Sequence, residues 1–372
     1  MADRILVSTR KGLVALARTG GGWAVDRVSF LGHNVTTAAV DPRTGNLYAA
    51  LNLGHFGVKL HHSADGGATW EERPVPEYPD GEMAVLGDGK TTKPAKLSLL
   101  WALTPGGADQ PGRLWAGTIP GGLFRSDDHG QSWQLMRDLW DREERKGWFG
   151  GGYDFPGIHS IAVDPRDSTA VRIGISCGGV WRTADDGATW TASTGMFADF
   201  MPPERRFDPN IQDPHRMTQC PAAPDHLWVQ HHNGVFRSTD GGATWREVPN
   251  VPPAVFGFAV GVHPTKPDTA WFVPAVKDET RVPVNAEFVV TRTRDGGKTF
   301  DVLRNGLPAT PSYDIVYRHA LAVDDTGAGS PSAAPPAASG PPTTKATTGC
   351  SSRPACRPFT RSRSWRERRS WP

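Results

Sequence analysis

Cysteine is scarce, long apolar runs are missing and the net charge is close to zero, and each scarcity removes a class of protein. The four cysteines (Cys177, Cys220, Cys350 and Cys356) follow neither a disulfide nor a metal-ligand spacing, which excludes a disulfide scaffold and a zinc module. No stretch approaches the ~18 consecutive apolar residues of a membrane span, and the opening MADRILVSTR lacks the apolar run of a secretion signal. A cytoplasmic protein with no membrane contact is expected. The net charge of +2 conceals an asymmetry: residues 326–372 hold eight Lys/Arg and one Glu, leaving 33 basic against 38 acidic side chains in residues 1–325. That body carries no basic surplus for nucleic acid.

What is present is a repeated phrase. SADGGATW (63–70), SDDHGQSW (126–133), TADDGATW (183–190), STDGGATW (238–245) and TRDGGKTF (293–300) share the pattern Ser/Thr-x-Asp-x-Gly-x-Ser/Thr-Trp/Phe, with 63, 57, 55 and 55 residues between the closing aromatics. Each part suits a tight turn between strands. The carboxylates of Asp65, Asp128, Asp185, Asp240 and Asp295 accept backbone N–H bonds, and Gly67, Gly130, Gly187, Gly242 and Gly297 take conformations costly for other residues. The closing aromatic anchors the turn, since a fully buried indole gains about 4–6 kcal/mol at ~25 cal/mol/Å². These five acids are read as structural.

Between the phrases lie strand-like segments. IHSIAVDP, VRIGIS, GVWRT and TWTAS make four strands in one unit, and MTQCPA, HLWVQH, GVFRS and TWREV make four in the next. Four strands per unit of ~50 residues describe an all-β propeller blade. RDLWDREERKGW (137–148) reads as a helical or loop excursion. ILVSTR, GLVALAR and WAV supply strands two to four of an N-terminal blade that lacks its first strand.

After HALAVDD (319–325), which copies HSIAVDP (159–165), the composition turns to Pro, Ser and Arg. Two readings stand: a disordered tail over 326–372, or a frameshift product. In a slipped frame from about Ala328, the tail can encode GGLWTTDDEGDDW, a copy of GGLFRSDDHGQSW (121–133), followed by a closing strand. The ancestral ring then has seven blades, and this chain has lost the last blade and the closing strand, leaving strand edges unpaired.

The phrase resembles the Asp-box, or BNR, repeat of sialidases, of the sortilin luminal domain and of bacterial glycosyl-hydrolase-like proteins, over residues 1–325. The resemblance implies a β-propeller and an exo-alpha-sialidase-like or related hydrolase. It also implies that the phrase sits away from the catalytic face. The arginine triad and the Phe/Tyr-Arg-Ile-Pro motif of true sialidases have no counterpart here, which argues against sialidase activity itself.

Propellers hold ligands at the channel mouth, on loops leading into the innermost strands. Those loops supply His33, His159, His215, Arg216, Arg318 and His319 as candidate ligand-binding residues for a glycan or small anion, with Lys96, Tyr153 and Tyr313 beside them. Asp154, Asp213 and Asp314 are the candidate catalytic carboxyls, because glycoside hydrolysis uses two of them. No cofactor is expected, and the histidines show no metal spacing. His61-His62 and His231-His232 read as structural, and KDETRVPVNAEF (277–288) as a solvated insert. A non-catalytic propeller that binds a protein partner or small anion is the alternative to a hydrolase, and a decayed gene product is a third reading.

Overall fold

The computed structural model describes residues 3–324 except 21, 87 and 152, together with residue 327 and residues 332 and 333. The chain divides into Met1–Ala337 and Ala338–Pro372, and the second unit lies outside the described residues, as does nearly all of the expected frameshifted segment.

Blade one has three strands, Arg4–Thr9, Gly12–Thr19 and Gly22–Ser29. Five four-stranded antiparallel blades follow, each ordered outward along the chain. Their first strands are Val35–Val40, Leu99–Pro105, Gly157–Asp164, Pro214–Gln219 and Gly257–Val262. These first strands touch one another in sequence order, so they line the axis. Leu321–Ala322, paired with Ser332–Ala333, lies against the first strand of blade six and begins a further blade. Six blades are thus present among the described residues, and the rest of an expected seventh falls outside them. The predicted excursion at 137–148 is a short helix, Arg137–Trp140, and a 3-10 turn, Glu143–Gly147.

The repeated phrase forms the turn between the third and fourth strand of blades two to six, and one set of hydrogen bonds recurs. In blade four Thr183 Oγ1 donates to Asp185 Oδ1 (2.6 Å) and accepts from Gly187 N (3.0 Å), while Thr189 N and Oγ1 donate to Asp185 (2.8 and 2.6 Å). Asp65, Asp128, Asp240 and Asp295 are held in the same way. Gly187 sits at φ +91° and its four equivalents between +82° and +92°, where a Cβ is strained. Only Trp190 and Trp245 among the closing aromatics are fully buried, so the full indole burial energy applies to those two. Trp70, Trp133 and Phe300 are half-buried, and Trp70 Nε1 and Trp133 Nε1 donate to Ser29 Oγ (3.1 Å) and the Pro74 carbonyl (2.9 Å).

Blades are joined by arginines. Arg43 Nη2 bonds Asp41 in its own blade and the Arg113 carbonyl of the next. Arg166 links Asp164 to Asp225, and Arg172 links Asp164 to the Gly241 carbonyl in the turn of blade five. The core lies between sheets, for example Trp115, Trp148, Ile173 and Trp181 between blades three and four. Gly89-Lys90-Thr91, which has Ala84 where a phosphate-binding loop needs its first glycine, sits in a hairpin turn where Asp88 accepts from Lys90 N and Thr91 N.

Candidate functional site at the channel mouth

The side chains at the axis are placed by a backbone irregularity that recurs in every complete blade. Near the start of each first strand the register slips by one residue against the second strand. The extra residue is Thr36 in blade two, Trp101 in blade three, His159 in blade four and His215 in blade five, and in blade six Phe258 and Ala259 share one opposing position. A bulge turns a side chain out of the sheet's alternation. Here it brings unlike residues to equivalent points around one axis.

They meet there. The Trp101 and His159 rings are 5.4 Å apart edge-on, and His215 stacks on Phe258 at 4.5 Å and 17°. The segment leading into the last strand pair delivers Arg318, whose guanidinium lies 4.7 Å from the Trp101 ring centre and 5.6 Å from that of Phe258. Tyr153 packs against Trp101 and Tyr317 against Phe258. His319 Nε2 donates to the His159 carbonyl (2.7 Å), which also accepts from Arg216 Nη1 (3.3 Å). His319 is surrounded by protein and still solvent-exposed, as expected of a channel-lining residue. Desolvation lowers it to about 3, and lowers Arg216 to about 10. His159 is satisfied within the fold, Nε2 on the Pro214 carbonyl (2.6 Å) and Nδ1 on Ser160 Oγ (2.8 Å).

Asp213 is the buried anion of the site. Its Oδ1 accepts from Cys177 N (3.1 Å) and Ser176 Oγ (3.2 Å), and its Oδ2 lies 3.3 Å from His215 Nε2 and 3.6 Å from His232 Nδ1. Burial alone would raise this carboxyl, but contacts with the two imidazoles and the Arg318 charge outweigh it and hold the group well below the usual range. Cys177, at φ +50°, is held in the protonated form by burial, so no thiolate nucleophile is available. Asp213, His215 and His232 are the one group among the described residues whose ligand atoms lie close enough together to hold a metal, all within 4.8 Å.

The other predicted residues are more scattered. Asp154 and Asp314 are exposed, the latter accepting from Ser312 Oγ at 3.2 Å. His33 is exposed and near His61, and among the described residues no hydrogen bond or ring contact joins it to the axial cluster. Lys96 is exposed. The residues missed are Trp101, Phe258, Ser176 and His232. The first two would emerge from aligning first strands, where they occupy the position of His159 and His215. The insert read as solvated instead reaches the site: Arg281 lies over the Phe258 ring at 5.3 Å and pairs with Asp278.

A family model described as BNR/Asp-box repeat matches residues 124–135. Xyloglucanase Xgh74A of Acetivibrio thermocellus is 30% identical over 151 residues, which is 36% of this chain and 16% of that protein. The GH74 xyloglucanase structure from Xanthomonas campestris superposes with a TM-score of 0.59 at 18% identity, over 87% of this chain and 48% of that one. YCF48 from Cyanidioschyzon merolae superposes at 0.53 and 13% identity, over 87% of each chain. The chain therefore spans less than half the length of these xyloglucanases. Among the described residues no helix is long and apolar enough to cross a membrane. Five copies of one hydrogen-bonded turn, the matching repeat model and the shared architecture show a BNR/Asp-box repeat β-propeller that is similar to GH74 xyloglucanases.

Proposed function

We propose that the channel mouth binds a glycan and that the chain hydrolyses it. One observation carries this reading: the bulges gather two aromatic rings and two imidazoles about one axis, Trp101, His159, His215 and Phe258, with the Arg318 guanidinium between the first and last and the exposed His319 beside them. A sugar offers apolar CH faces for the rings and hydroxyls for the polar groups, and a ligand site is mostly apolar with a few placed polar groups. Phe200 edges onto His232 at 4.9 Å, and Tyr313 is 68% exposed beside Asp314, which extends the aromatic surface outward. The relatives named xyloglucanases support a polysaccharide as the substrate class.

Asp213 is unsuited to donate a proton, being ionised, buried and engaged through both oxygens. Asp154 and Asp314 are the exposed carboxyls of the site loops and take the acid and base roles. Calorimetry with xyloglucan oligosaccharides, paired with release of reducing ends, tests the assignment. Asp154→Asn and Asp314→Asn are each expected to lower turnover at least ~100-fold while leaving affinity within a few-fold. Tight binding without release by the unaltered chain would overturn hydrolysis. It would leave a non-catalytic glycan-binding propeller, and failure to bind the oligosaccharides would favour a propeller holding a small anion or protein partner, a reading supported by Arg216 and Arg318, whose buried Nε atoms have no hydrogen-bond partner.

A further inference from the structure

We infer that Asp213, His215 and His232 form a binding site for a divalent transition-metal ion of the zinc type. The inference is independent of the glycan reading and starts from the hydrogen bonds of His215. Its Nδ1 lies 2.6 Å from the Gly257 carbonyl oxygen, which can only accept, so Nδ1 carries the proton. In the neutral ring Nε2 then presents a lone pair, and it faces Asp213 Oδ2 at 3.3 Å. Two acceptors facing each other require a positive species between them.

A proton could bridge that one pair, but a third atom converges on the same oxygen. His232 Nδ1 stands 3.6 Å from Asp213 Oδ2, and the three ligand atoms all fall within 4.8 Å of one another. Ligands bound tetrahedrally at about 2.0–2.1 Å lie roughly 3.3–3.4 Å apart, close to the 3.3 and 3.6 Å from Asp213 Oδ2 to the two nitrogens. Protons satisfy the two contacts only one at a time, with His232 Nδ1–H as the second donor, whereas one ion satisfies all three atoms at once.

The surroundings are those of a built site. His215 is fixed by the Gly257 carbonyl and by stacking on Phe258. Asp213 is fixed through its other oxygen by Cys177 N and Ser176 Oγ. Such outer contacts set the ring tautomer and the direction of the ligands. Two imidazoles and one carboxylate suit Zn²⁺ over Ca²⁺ or Mg²⁺, which prefer oxygen alone. Three protein ligands leave a position for water or a ligand oxygen.

The full, untagged chain is stripped with chelator and titrated with ZnCl₂ by calorimetry, then with CoCl₂ while the visible absorption of the cobalt ion is followed. One equivalent is expected to bind, with a cobalt spectrum of four-coordinate nitrogen and oxygen ligation. His232→Gln, at a half-buried position, is expected to weaken binding at least ~100-fold, and Ser176→Ala, which removes only an outer contact, ~10–100-fold, each with an unchanged circular dichroism spectrum. Failure to bind near one equivalent would overturn the inference. So would undiminished affinity in folded His232→Gln, or a thiolate-to-cobalt band placing the ion on a cysteine.

Discussion

At the scale of single residues, the same side-chain type serves opposite ends of the fold. Asp185 and Asp295 are each held at about 2, chiefly by hydrogen bonds from the flanking hydroxyls and the Thr189 or Thr299 N–H. Asp164 is also held at about 2: burial pushes it up, and bonds from Arg166 and Arg172 more than reverse this. A depressed carboxyl stabilises the fold fully above its unfolded value near ~3.9, and that stability is lost as pH falls through the folded value. The melting temperature is therefore expected to drop steeply between about pH 4 and pH 2, and Asp185→Asn should flatten that part of a pH-resolved thermal melt. Asp164→Ala has a different cause of damage, because it leaves the buried Arg172 guanidinium without its carboxylate. The expected cost is about 3 kcal/mol, read from urea denaturation at neutral pH.

At the scale of elements, legibility in the sequence follows how local each interaction is. The phrase around Asp185 was readable because its hydroxyl, carboxylate, glycine and N–H partners all lie within seven residues. The four-strand rhythm was readable for the same reason, since each blade is built from consecutive hairpins. His232 was set aside because alternation along a strand puts neighbouring histidines on opposite faces, and nothing local shows that the strand ends where Asp213 arrives from another loop. Trp101 and Phe258 were missed because a bulge breaks the period-two rule that strand reading relies on. The bulge geometry can be tested at Gly157, which opens the first strand of blade four. A Cβ there would stand 2.6 Å from both the Trp101 ring and Ile119 Cγ1. Trp101 is already enclosed by Tyr153, His159 and Arg318, so it has little room to yield. Gly157→Ala is expected to cost about 1–3 kcal/mol in urea denaturation and to weaken oligosaccharide binding through the displaced indole.

At the scale of the whole molecule, the channel cluster and the ring make separate demands on the chain. Every residue of the cluster, from Trp101 to His319, lies ahead of the Pro/Ser/Arg-rich segment. Blade one depends on what stands beside it. Its first strand, Arg4–Thr9, pairs only with Gly12–Thr19 among the described residues, and at the other side of the sheet Val25 and Val28 of Gly22–Ser29 and Leu31 beyond it are 62%, 42% and 79% exposed. An open strand edge in a sheet that also exposes apolar side chains is a poor end state in water. A closing strand encoded in the shifted frame would fill that edge. Nucleotide sequencing across codons 323–350, followed by expression of the frame-restored chain beside the present one, separates the possibilities. Restoration is expected to raise the melting temperature by about 5 °C and to slow hydrogen exchange at the amides of Arg4–Thr9 that point away from Gly12–Thr19. If those amides are already protected in the present chain, or if the DNA holds no such frame, the edge has another cover and the seven-blade ring is the wrong parent.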